Sequence, residues 1–152
     1  MIVMGIRASA QEVRYAILDK KADKSIEFIN RTSENRLKYP ANMDSIEEKL
    51  YWVESEIDRI LRQNDAINKI IIKTNEYTGT ESSAKRETTY VDAIIMLSAY
   101  EHGLSVVRRL NSQIGSTAAK AKEYAENRVG KTDHYWNNTI ADAILAAYWE
   151  IK

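Results

Sequence analysis

Ile2-Val3-Met4-Gly5-Ile6-Arg7, then Glu12-Val13-Arg14-Tyr15-Ala16-Ile17-Leu18, then Ser25-Ile26-Glu27-Phe28-Ile29-Asn30 open the chain, and their order decides its fold class. The first is a short apolar run. The second alternates, with Val13, Tyr15 and Ile17 on one face, as a strand with a period of two requires. The third sets Ile26 and Phe28 on one face. Lys20-Lys21-Ala22-Asp23-Lys24 is a polar turn between the last two. Three strands with short links predict an antiparallel meander.

From residue 45 the pattern changes. After a loop through Pro40, Ser45 followed by Glu48 forms a capping box, and Ile46, Leu50, Val53, Ile57, Ile60 and Leu61 fall at helical spacing to about Gln63. Ile67 to Ile72 is β-branched and reads as a buried fourth strand. Gly79 and Thr80 precede a helix over 81–101, which His102-Gly103 ends with a glycine cap. Leu104 to Leu110 is a fifth strand, residues 116–128 a third helix stopped at Gly130, and residues 138–150 a last helix. The order β-β-β-α-β-α-β-α-α predicts an α/β fold: a five-stranded mixed sheet, its first three strands antiparallel, with helices on both faces. No repeat or linker divides the chain, so residues 1–152 are expected to form one domain.

A chain of this length can bury roughly 70% of its unfolded surface, so its core needs no disulfide or structural metal. Lys plus Arg equals Asp plus Glu at 22 each. A zero net charge argues against strong non-specific nucleic-acid binding and leaves room for a local basic patch. The absence of cysteine excludes disulfides, thiol catalysis and cysteine zinc sites. No apolar run approaches the ~20 residues of a membrane span, and residues 1–7 lack a signal-peptide leader, so a cytoplasmic protein is expected. Asn137-Asn138-Thr139 matches a glycosylation sequon that this setting leaves unused.

Four short motifs carry a resemblance. Val3-Met4-Gly5-Ile6, Arg14-Tyr15-Ala16-Ile17-Leu18, the turn Gln113-Ile114-Gly115-Ser116 with Ala119-Lys120, and Ala141-Asp142-Ala143-Ile144-Leu145-Ala146 are spaced along nearly the whole chain. Together with the element order they resemble the RNase H-like superfamily, and most closely the RuvC-type Holliday junction resolvases. The resemblance implies an Asp ending the first strand, a Glu ending the fourth, and two acids on the last helix. In active members these hold two Mg²⁺ ions for phosphodiester cleavage.

This sequence departs from that pattern. Arg7 stands at the first position, Lys73 at the second and Thr139 at the third, and only Asp142 is retained. One carboxylate cannot hold two Mg²⁺ ions. Arg7, Lys73, Thr139 and Asp142 are therefore the candidate binding residues, with no metal ligand set and no cofactor expected. Three readings stay open. The chain is a catalytically inactive module that binds nucleic acid or a protein partner. Alternatively it is a divergent nuclease holding Mg²⁺ or Mn²⁺ in a rebuilt site drawn from Asp19, Glu76, Glu87, Asp92, Glu101 and Asp133. Or it is a structural subunit, as a homodimer or in a larger assembly. Those six acids read otherwise as solvated helix and turn charges, and Arg108-Arg109 and Lys20-Lys21-Lys24 as solvated basic clusters. His102 and His134 are too isolated for a zinc site, and Trp52, Trp136 and Trp149 are read as core or interface.

Overall fold

The computed structural model describes residues 1–152. Strands β1 (Ile2–Ala8), β2 (Glu12–Lys20) and β3 (Ile26–Phe28) form the meander, followed by β4 (Arg36–Lys38), helix α1 (Ile46–Gln63), β5 (Lys69–Lys73), α2 (Ser83–Glu101), β6 (Ser105–Arg109), α3 (Ala121–Arg128) and α4 (Asn138–Ile151). The sheet order is β3-β2-β1-β5-β6. β1, β2 and β3 are antiparallel, while β5 and β6 run parallel to β1.

The sheet has six strands rather than five, because β4 also pairs with β2. β2 is long enough to serve two short partners. Its residues Leu18 to Lys20 pair with β3 and Glu12 to Arg14 with β4. The Asn30 side chain fills the interval: its Oδ1 accepts from Ile17 N (2.7 Å), and its Nδ2 donates to Tyr15 O (3.2 Å) and Glu34 O (3.0 Å). The third helix is also shorter than expected. Residues 111–114 form a 3₁₀ turn ended by Gly115 in the left-handed region, and α3 starts only at Ala121.

Alternation along β1 divides the core. Met4, Ile6 and Ala8 join Ile70 and Ile72 beneath α1 and α2, whereas Val3 and Ile71 meet Ile140, Ile144 and Ala147 of α4. Ser45 caps α1, accepting from Glu48 N at 3.2 Å. Gly103, at φ +70°, closes α2 with Leu104 N donating to Ala99 O at 2.9 Å, an arrangement in which a left-handed glycine satisfies the last carbonyls. Gly5 lets α4 lie directly on β1: a Cβ there would stand 1.9 Å from Ala143 O. No helix is long and apolar enough to cross a membrane.

Candidate functional site

The parallel strands β1, β5 and β6 all end on one edge of the sheet, where the crevice outside the carboxyl ends is the usual ligand position in open α/β folds. Pairing of Ile6 with Ile72 puts Arg7 beside Lys73. Both residues share the parity of Gly5 and Ile71, so both turn toward α4. Asp142, in the second turn of α4, meets them there.

Arg7 joins the three elements. Its Nη1 donates to Lys73 O at 3.1 Å, and its Nε lies 3.6 Å from Asp142 Oδ2. Burial pushes the Asp142 carboxyl above the usual carboxylate range, and the Arg7 and Lys73 charges oppose that rise. Lys73 is only 2% exposed. Its ammonium donates to Thr74 O (2.6 Å) and sits 3.5 Å from Glu76 Oε1. Burial, and then the neighbouring Arg7 charge, lower its pKa. Arg7, Lys73 and Asp142 thus come together as one ion cluster, with Thr139 half-buried one turn before Asp142 on the same helix.

Of the six acids considered for a rebuilt metal site, only two belong to this edge. Glu76 accepts from the Asn111 backbone N–H at 2.7 Å. Asp92, which the sequence places among solvated helix charges, is instead buried, and its carboxyl is pushed up to about 7 by burial against the opposing charges of Arg7, Lys73 and Arg108. The others are spent elsewhere. Asp19 binds Lys21 at 2.6 Å, Glu87 binds Lys49 at 3.2 Å, and Glu101 and Asp133 are exposed. No group of three or more His, Asp or Glu side chains lies close enough to hold a metal ion. The Mg²⁺ pair implied by the resemblance does not fit these residues, since two cations and a carboxylate paired to one of them occupy its positions.

A second polar network, with no local signal in the sequence, braces this edge. Arg14 is fully buried on β2. Its guanidinium donates to Asn35 O (3.1 Å), Asn35 Oδ1 (2.9 Å) and Tyr135 O (2.6 Å). Glu12 lies 3.7 Å from it, pairs with Arg36, and accepts from Asn137 Nδ2 at 3.1 Å. Asn137 in turn caps α4, accepting from Ile140 N at 3.1 Å, so the sequon asparagine is committed to the fold. Arg36 stacks on Tyr135 at 4.1 Å, and Tyr135 adopts a left-handed φ of +55°. The network ties β4 and the approach to α4 onto β2, and so fixes where Asp142 stands.

Arg108, read from the sequence as part of a solvated pair, shares the parity of Val106 and lines a cleft of about 420 Å³ with Asp92 and the β5–α2 loop. His102 lies away from this edge, its Nε2 2.7 Å from Asp58 Oδ1. Trp52 packs edge-on against Tyr39, while Trp136 and Trp149 pack against the α4 side of the core.

No family model and no curated protein sequence matches this chain. Solved structures do. T. thermophilus RuvC in complex with Holliday junction substrate superposes with a TM-score of 0.78 at 12% identity, covering 98% of this chain and 92% of that one. Thermus thermophilus RuvC alone gives 0.75 at 12% identity over the same shares. The yeast mitochondrial Holliday junction resolvase Ydc2 gives 0.66 at 12% identity, covering 98% of this chain and 77% of its own. The fold is that of RuvC, an RNase H-like fold.

Proposed function

We propose that this chain is a nucleic-acid-binding module of RuvC-like fold that engages branched or single-stranded substrate without metal-dependent cleavage. The observation that carries the reading is the Arg7–Asp142 pair at 3.6 Å. The one retained acid is matched by a cation at the position where the resemblance expects a second acid. The solved complex of T. thermophilus RuvC with a Holliday junction substrate supports nucleic acid as the ligand. That support is an analogy of fold. Arg7 and exposed Arg108 are the cations that face phosphate, for which the guanidinium fork is suited. Buried Lys73 acts from within, through its charge, rather than by contact.

Fluorescence anisotropy with a labelled four-way junction, across a salt series, tests this. Binding should weaken with salt, and Arg108→Ala should flatten the log–log slope by about one. Incubation with Mg²⁺ or Mn²⁺ should leave the junction intact. Metal-dependent cleavage lost in Asp142→Ala would instead favour the divergent nuclease.

One observation favours self-association as a second property. Tyr90, Leu97 and Tyr100 are exposed on the outer side of α2, with Ala93 between them. If two copies of α2 cross antiparallel about Ala93-Ile94, Tyr90 meets Leu97 and Arg86 meets Glu101, an isologous match of shape and charge. Light scattering should give a dimer that Leu97→Asp converts to monomer. A monomeric parent chain at high concentration would remove this property.

A further inference from the structure

The cleft at the ends of β5 and β6 holds a group that the ion cluster does not account for. Asp92 is 5% exposed, and its Oδ1 is buried with no hydrogen-bond partner. Buried polar atoms are partnered in the great majority of cases, and the residue that carries this one lines a cleft of about 420 Å³, a volume within the ~300–1,000 Å³ of small-molecule sites. The walls divide by chemistry. Ala93 and Met96 offer apolar surface, Thr74 and Thr89 offer hydroxyls, and Arg108 supplies a cation, while the lining carboxylates Glu76 and Glu81 are held by Asn111 N and Lys73 and by Arg86. Lys85 is occupied, donating to Thr78 O (3.4 Å) and Thr80 O (3.1 Å). Arg108 makes no ion pair within the protein, so it is the cation left for an anionic ligand.

A ligand suited to this cleft carries N–H donors at one end and negative charge at the other. We propose, building on the nucleic-acid reading above, that the cleft is a subsite for one unpaired guanine nucleotide, with Asp92 accepting from the base and Arg108 facing its phosphate. The carboxylate presents two acceptors side by side. Among the common bases only guanine presents two adjacent N–H donors, N1–H and the exocyclic amine, on its pairing edge. Adenine and cytosine set one amino group beside an acceptor, and uracil and thymine flank their N–H with carbonyls that a carboxylate repels. That same edge is taken by cytosine in a duplex, so the nucleotide must come from a single-stranded or extruded position, as enzymes that read isolated bases require. Met96 then lies against the base face.

Isothermal titration of the full chain with GMP, AMP, CMP and UMP tests the assignment. GMP should bind at least tenfold tighter than the other three. Asp92→Asn, nearly identical in shape, should lose at least tenfold for GMP and gain for XMP, whose 2-carbonyl accepts from the new amide. Circular dichroism confirms that the variant is folded. Arg108→Ala should weaken GMP and leave guanosine unchanged. Equal affinity for the four nucleotides, no binding of any, or GMP affinity unmoved by Asp92→Asn would each overturn the subsite. Junction affinity, measured in parallel, separates the two levels. Arg7- and Arg108-dependent junction binding without guanine preference would retire the subsite alone, whereas loss of both would retire the nucleic-acid reading as well.

Discussion

Asp92→Asn should stabilise this protein, and do so only as the pH rises. The unfolded carboxyl titrates near 3.8, and burial lifts the folded value to about 7. Below about pH 4 both states hold the proton and Asp92 costs nothing. Between about pH 4 and 7 the folded chain binds more protons than the unfolded one, so stability falls with rising pH; above that window the cost is complete. One pKa unit corresponds to about 1.4 kcal/mol, which sets the full cost near 4 kcal/mol. The residue is almost wholly buried, so solvent screening removes little of it. Asparagine carries no charge to desolvate. Urea unfolding of both proteins, followed by tryptophan fluorescence, should give a gain of about 1 kcal/mol for the variant at about pH 4.5 and of about 4 kcal/mol at about pH 8.5. Asp142 and Lys73 titrate in both proteins and largely cancel in the difference. A gain that is absent, or the same at both pH values, would refute the buried, charge-penalised carboxyl.

Three further outcomes follow from contacts at the same edge. Arg7→Ala removes the cation beside Asp142 and the donor to Lys73 O, and should cost about 1–3 kcal/mol in thermal or urea unfolding, with Asp142 driven further toward its protonated form in a carboxyl ¹³C titration. Gly5→Ala drives a methyl against Ala143 O and should cost about 3 kcal/mol or more, visible as a lowered urea midpoint. Arg14→Met strands the acceptors of Asn35 and Tyr135, while Glu12 keeps Arg36 and Asn137, and should cost about 2–3 kcal/mol; a variant as stable as the parent would mean that the network adds nothing to stability.

The parts of the fold that could be read in the sequence are those with local periodicity. The meander, the α1 stripe, the β-branched run of β5 and the glycine caps each announce themselves within one element. β4 does not, because Arg36-Leu37-Lys38 has a single apolar residue and becomes a strand only by pairing with β2 far upstream. Ser116 to Lys120 carries helix-forming residues, but the left-handed Gly115 and the packing of Trp149 against it turn the chain before α3 begins. The site divides in the same way. Arg7, Lys73 and Asp142 are legible only through the resemblance, which marks their positions on β1, β5 and α4. Arg14 looks like any exposed strand residue until Asn35 and the segment before α4 close over it. Asp92 looks like a surface helix charge until the β5–α2 loop packs beside it. In both cases burial comes from distant chain, which a local pattern cannot carry.

The contact at Gly5 has a bearing on how this scaffold can be altered. With no side chain between β1 and the carbonyl of Ala143, backbone alone sets the gap between the end of the strand and the second turn of α4. Residues 7, 73, 139 and 142 project across that gap without having to hold it open. Their charges can therefore be exchanged, acids for cations or the reverse, while the frame that spaces them stays at the same gauge. Such a frame is a mount that accepts different fittings, and carboxylates placed at residues 7 and 73 would face Asp142 across unchanged backbone.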